Sequence, residues 1–324
     1  MSAPGLTLAI PVHDDVPSLR HLLNQANALE IFDHVIVSDD GSREKPDLPR
    51  RLPCGAGVEL LRERTARGAG HARNRALERV RTSHVLFFDA DDALTEEIAR
   101  LWRAVAREVF DFCLFRHADS RVAIGGGWGQ LPVDDALWRL ADCSFGLLQE
   151  PSRAAHAHLA ETANYPWNKI YRTDFLRAHD LRCTEIPVHN DIELHWGSFA
   201  AADRILVSNR VCALHRVPED GARLTDRRGR DRLCLFKALA AAAARLETAG
   251  AAAEPLWLAF FRFSAGLFDW ARSRIDPETL AAFEHGIREF LTCHLDARRY
   301  HALAVSDPIL ALRLADLMAR TRAA

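Results

Sequence analysis

The chain has 324 residues, room for one large domain with an appendage or for two domains, and 48% hydrophobic residues are enough to fill a core. Its 42 Lys and Arg against 44 Asp and Glu leave a net charge of −2, which excludes a globally basic nucleic-acid binder or a polybasic membrane-surface protein. Seven scattered cysteines without CxxC or zinc spacing exclude a disulfide framework, and with no signal-like start and no 18-residue apolar run the expectation is a cytoplasmic chain without a membrane span.

Residues 6–12 (LTLAIPV) read as a strand closed by Pro11 and followed by polar His13, Asp14 and Asp15. Pro17 then sits near the start of a helical pattern, with Leu19, Leu22, Leu23, Ala26 and Leu29 on one face. Residues 34–38 (HVIVS) form a second strand that runs into Asp39, Asp40, Gly41 and Ser42, and residues 58–61 a third. Gly68 and Gly70 open a helix through Ala76, Leu77 and Val80. Residues 84–88 (HVLFF) are a strand buried on both faces, ending in Asp89, Asp91 and Asp92. A helix over 95–108 and a strand over 110–115 follow. Strands alternating with helices predict a mostly parallel sheet with right-handed crossovers.

After residue 116 the alternation breaks down. Residues 167–172 (WNKIYR) read as a short strand or turn, and Thr173 as the cap of a helix. His189, Asn190 and Asp191 precede a helix over 192–202, and residues 204–208 and 211–216 read as two short strands. From Arg230 onward four helical patterns appear, over 233–246, 256–271, 277–290 and 308–318. The aromatic-rich run 256–270 reads as a buried helix rather than a membrane-surface one, because basic residues are sparse in it.

Nothing in folding asks for three acids at the end of an apolar strand, because clustered like charges oppose one another's ionisation. A divalent cation is the usual answer, and a donor set made only of oxygen suits Mg²⁺ or Mn²⁺ held together with substrate phosphates. Asp92 alone reads equally well as a cap for the following helix, with Glu96 and Glu97 in its first turn. Acids also end the first and second strands, at Asp14 and Asp39, and ligands of parallel sheets collect at such strand ends. The Gly68–Gly70 pair is not a dinucleotide fingerprint, because Arg73 stands where the third glycine belongs. Only Lys45, Lys169 and Lys237 are lysines. A single arginine is therefore weak evidence here, and Lys169 is weighed between a solvated charge and a phosphate or acceptor contact.

The order IPVHD, SDDGS, RGAGHARN, FFDADD, PWNKIYR and HND resembles the bacterial family 2 glycosyltransferases of the GT-A fold, in the branch that builds surface polysaccharides. The resemblance spans residues 6–216 and implies a Rossmann-like GT-A sheet as residues 1–216, with residues 217–324 as a helical C-terminal subdomain. It further implies a nucleotide-sugar donor, a UDP-sugar by default, and a glycan or lipid-linked acceptor. Under it Pro11, Asp14, Asp39 and Asp40 would line the pocket of the nucleotide base, and Arg73 would lie near the nucleotide. Asp89 would contact the ribose, and Asp91, with Asp89 beside it, would hold Mn²⁺ or Mg²⁺. His215 and Arg216 would reach the diphosphate, and Asp191 would be the general base. Asn190 departs from the Glu-Asp usual at that point. A metal cluster and one separate acid suit a single displacement with inversion. A peripheral position at the inner membrane face and the oligomeric state stay open. The rival readings are a catalytically inactive relative serving as a binding subunit and a sugar-phosphate nucleotidyltransferase, the latter disfavoured by HDDVPS in place of its glycine-rich loop.

Overall fold

The structure, a computed structural model, describes residues 4–217 and 229–319. In chain order it runs β1 (Leu6–Val12), α1 (Val16–Leu29), β2 (His34–Asp39), β3 (Gly57–Arg62), α2 (Ala69–Arg79), β4 (His84–Phe87), β5 (Ala93–Leu94), α3 (Glu97–Val105) and β6 (Phe112–Asp119). Then come α4 (Ser120–Ile124), α5 (Pro132–Leu140), α6 (Ala155–Ala160), a 3-10 turn (Pro166–Asn168), β7 (Lys169–Arg172), α7 (Thr173–Ala178), α8 (Ile192–Ala201) and β8 (Ile205–His215). The C-terminal part is α9 (Leu235–Ala249), α10 (Glu254–Arg272), α11 (Pro277–His294), α12 (Ala297–Ser306) and α13 (Pro308–Ala319). Parts of the region read as a C-terminal subdomain, 218–228 and 320–324, lie outside the described residues.

The strands form one sheet in the order β3-β2-β1-β4-β7-β6-β8-β5. Strands β3, β2, β1 and β4 are mutually parallel, as are β6 and β8, whereas β7 runs antiparallel between β4 and β6. Alternation along the strands sends side chains to two cores. Leu8, Ile10, Val35, Val37, Leu86 and Phe88 pack with α1 and α3 on one face. Ala9, Ile36, Val85, Phe87 and Phe112 pack on the other, in one continuous core that includes α8 and the helices α9, α10, α11 and α13. Among the described residues no helix is long and apolar enough to cross a membrane.

Several expectations are corrected. The segments 204–208 and 211–216 are a single strand, β8, whose register against β6 shifts on either side of Arg116. A bulge of this kind breaks the period-two pattern, so one strand reads as two. Helix α3 is shorter than 95–108, and its start is served by Thr95, whose Oγ1 accepts from Glu97 N at 3.2 Å, not by Asp92. Thr173 is the first residue of α7 rather than a side-chain cap. Helices α4, α5, α6 and α12 are additional to the expected elements; α4 and α6, of five and six residues, have too few turns to leave a clear 3.6-residue period.

Candidate functional site

The carboxyl ends of β1, β2 and β4 lie side by side because these strands are adjacent and parallel, which brings the first three acidic motifs to one edge. Asp14 follows β1 in the left-handed region (φ 53°). Its Oδ1 accepts from Arg43 N at 2.8 Å, its Oδ2 from Arg43 Nε at 2.9 Å, and its own N–H donates to Ser42 Oγ. These bonds from Arg43 hold the Asp14 carboxyl below the usual range. Pro11 is a buried member of β1 paired with Ser38. Asp39 is fully buried; Oδ1 accepts from Ser42 N at 2.9 Å, and Oδ2 lies 3.1 Å from Arg62 Nε. Asp40 accepts from Arg67 N at 2.8 Å and Gly68 N at 2.7 Å. It thereby fixes the turn into α2, where Gly68 adopts φ 98°, a conformation open to glycine. Asp39 and Asp40 therefore both have protein donors, and a ligand reaching Asp39 would share it with Arg62.

Helix α2 carries the central connection. Arg73, buried within it, donates from Nη2 to Asp89 Oδ1 at 2.5 Å and from Nη1 to Asn190 Oδ1 at 2.7 Å. Burial opposes its charge, but the Asp89 carboxylate and the more distant Asp191 outweigh that, so the guanidinium is held more firmly protonated. One cation thus joins the end of β4 to the segment in front of α8. Asn190, where the resemblance expects Glu, keeps an acceptor for Arg73 without a second charge. The two segments also touch through Gly70: a Cβ there would lie 2.5 Å from Thr184 O and 2.9 Å from Asn190 Cβ. Asp191 caps α8 by position but makes no side-chain cap bond. Burial raises its carboxyl above the ordinary value, while Arg73 and Lys169 pull the other way.

The remaining acids of the β4 end differ sharply. Asp92 is buried and its Oδ1 is bound twice, accepting from His215 Nδ1 and from Arg216 N, each at 2.9 Å. It therefore anchors the end of β8, and through this bond His215 is raised despite its burial. Asp91 has no hydrogen bond or ion pair to any other described residue. Asp91 is exposed to solvent on one side; partial desolvation by the surrounding protein, then Asp89 and Asp92, push its carboxyl up to about 6. Lys169 is fully buried, donating to Tyr165 O at 2.9 Å and Asn168 Oδ1 at 2.6 Å, so the reading of it as a solvated charge is corrected. Burial lowers it to about 7. Trp167 is core, stacked on Tyr165 at 4.5 Å, and both rings lie against His215.

Sequence reading missed Arg62, Tyr165 and the anchoring role of Asp92. Register could have suggested Arg62, which ends β3 opposite Asp39. The other two depend on contacts across long stretches of chain.

The residues fit a hard divalent cation in a limited sense. Asp91 offers a carboxylate with no protein partner, Asp89 commits only Oδ1 to Arg73, and no thiol bonds to either. Among the described residues no group of three His, Cys, Asp or Glu side chains could hold a metal by itself. That arrangement suits Mg²⁺ or Mn²⁺, which protein carboxylates hold jointly with substrate phosphates.

Comparison with known proteins gives three results. No curated protein matches the chain. Among solved structures it is similar to S. aureus TarS residues 1-349 in complex with UDP-GlcNAc, at 18% identity and a TM-score of 0.73, covering 98% of this chain and 89% of that one. It is also similar, at 15% identity and a TM-score of 0.56, to the mannosyltransferase PcManGT from Pyrobaculum calidifontis in complex with GDP-Man and Mn²⁺, covering 99% and 88%. These likenesses give the fold, a GT-A sheet with a helical C-terminal region. The family model described as Glycosyl transferase family 2 matches residues 7–174, just over half of the chain and all the strand ends from β1 to β4, and the chain therefore belongs to the family 2 glycosyltransferases.

Proposed function

We propose that the chain is an inverting, metal-dependent glycosyltransferase that moves a sugar from a nucleoside-diphosphate sugar to a hydroxyl of a polysaccharide or lipid-linked glycan. UDP is the first choice of nucleotide; the UDP-GlcNAc complex of the TarS neighbour supports it, while the GDP-Man complex of PcManGT makes GDP the second. Residues 1–216 form the catalytic unit and residues 217–324 a helical subdomain. Its place is the cytoplasm, in solution or against the inner membrane face. The observation that carries this reading is the pair of unlike acids on either side of Arg73: Asp91, without a protein partner, and Asp191, buried with a raised carboxyl.

Asp91 with Asp89 would hold Mn²⁺ or Mg²⁺, and such an ion, when bound, stabilises the charge of the departing diphosphate. Arg73 keeps Asp89 and the segment bearing Asp191 at fixed separation. Asp191 accepts the proton of the acceptor hydroxyl as its oxygen bonds to the sugar C1 and the C1–O bond to the diphosphate breaks. Burial suits it to this role, because a base is most effective with a pKa moved towards the working pH.

The test is a thermal-shift panel of UDP, GDP, CMP and NAD, each with and without Mn²⁺. A nucleotide at about 100 times its Kd adds roughly 2.7 kcal/mol, several degrees of Tm. The expected result is a shift with one nucleoside diphosphate that requires the metal. No shift with any of the four overturns the donor reading.

A further inference from the structure

The candidate base sits at the end of residues 184–191, a segment without regular structure that leads into the first turn of α8, and two different parts of the molecule grip this stretch. From the catalytic side, Asn74 donates to Cys183 O at 2.8 Å and accepts from Cys183 N at 2.9 Å, and Arg73 holds Asn190. From the C-terminal side the grip has three points. On α9, Arg245 donates to Glu193 Oε1 at 3.0 Å, and Glu193 Oε2 accepts from Thr184 Oγ1 at 2.8 Å. Cys234 Sγ donates to Val188 O at 3.3 Å. On α10, the Trp270 ring meets His189 edge to face at 5.7 Å, and the guanidiniums of Arg232 and Arg274 lie over that same indole at 4.4 and 4.6 Å.

His189 gives the grip a mechanical meaning. It is a non-glycine residue with φ 62°, immediately before Asn190 and Asp191. A non-glycine residue in this region costs energy that its surroundings must offset. The ring that holds it belongs to a helix that carries no family motif.

We infer that Trp270 and Arg245 of the C-terminal helices are positioning residues for transfer, acting through His189 and Glu193 to hold Asp191 in place. This inference rests on the reading of Asp191 as the base. It gives the C-terminal region a part in the chemistry.

The experiment uses the full chain as Trp270→Ala, Trp270→Phe and Arg245→Gln. Hydrogen exchange is followed over peptides covering 184–193 and over β1 to β4. Calorimetry measures binding of UDP or GDP with Mn²⁺. Slow release of nucleoside diphosphate from UDP-GlcNAc or GDP-mannose in water reports turnover without an identified acceptor. In Trp270→Ala and Arg245→Gln, exchange should quicken at 184–193 and not in β1 to β4. Nucleotide Kd should stay within twofold and kcat should fall about 10- to 100-fold, the scale of a misplaced reacting group. Trp270→Phe, which keeps an edge-to-face ring, should recover most of the loss. Unchanged exchange at 184–193 in both variants overturns the inference. Quickened exchange with unchanged turnover supports the grip and overturns Asp191 as the base.

Discussion

The two sides of the site treat charge in opposite ways. Behind β1 and β2, charged side chains are paired locally and in part exposed: Asp14 with Arg43, Asp39 with Arg62, Asp40 on backbone N–H groups. Behind β7 and α8 the charges are buried with few partners, and the Asp191 carboxyl is raised while Lys169 is lowered to about 7. The first treatment suits holding a ligand, because each acid is already fixed in place by its protein donors. The second suits moving a proton, because desolvation brings acid and base strengths together.

The largest effects should come from breaking the contrast at its two poles. Asp91→Asn should abolish metal-dependent turnover and leave Tm unchanged or slightly higher, because it removes a carboxylate with no protein partner. Asp191→Asn should keep nucleotide binding and lose transfer by about 10²- to 10⁴-fold, the range of general-base assistance. Normal turnover in the first, or unchanged transfer in the second, would remove that residue from the site. Next is Arg73→Ala, which leaves Asp89 and Asn190 without their shared donor and removes a counter-charge from buried Asp191. Breaking such a pair costs about 3–5 kcal/mol, and urea denaturation would show it as a lower midpoint.

A smaller and pH-dependent effect isolates Lys169. Its folded pKa of about 7 lies below the unfolded lysine value, so from about pH 7 to about 10 the unfolded chain binds the extra proton. Stability should therefore rise with pH across that window, and the cost of the buried ammonium should be fully present below pH 7. The difference in unfolding free energy between wild type and Lys169→Met should change by a few kcal/mol over the window. A flat difference would mean that Lys169 stays protonated. The smallest effect belongs to Arg43→Ala at the exposed ion pair, where Tm should move by no more than about a degree.

How far the sequence reveals the molecule follows the same division. Strands β1 to β4 and their acids are legible because apolar runs and terminal carboxylates are local signals. The direction of β7 is not, because residues 169–172 read the same whichever way the strand runs between β4 and β6. Asp92 is a helix cap by local pattern; its partners His215 and Arg216 are more than 120 positions away. Burial of Lys169 beneath Tyr165 and Asn168 is likewise a property of packing, invisible in a single letter. The helices after residue 230 are legible as helices, but the core they share with the sheet is not.

Gly70 offers a tuning screw. The hydrogen atom it carries in place of a methyl is what lets the helix bearing Arg73 close against the strand of chain bearing Asn190. Alanine there would act as a shim, pushing the helix and the segment apart while leaving Arg73 and Asn190 chemically intact. An engineer seeking to change the spacing between Arg73 and the segment before α8 could begin with that missing atom.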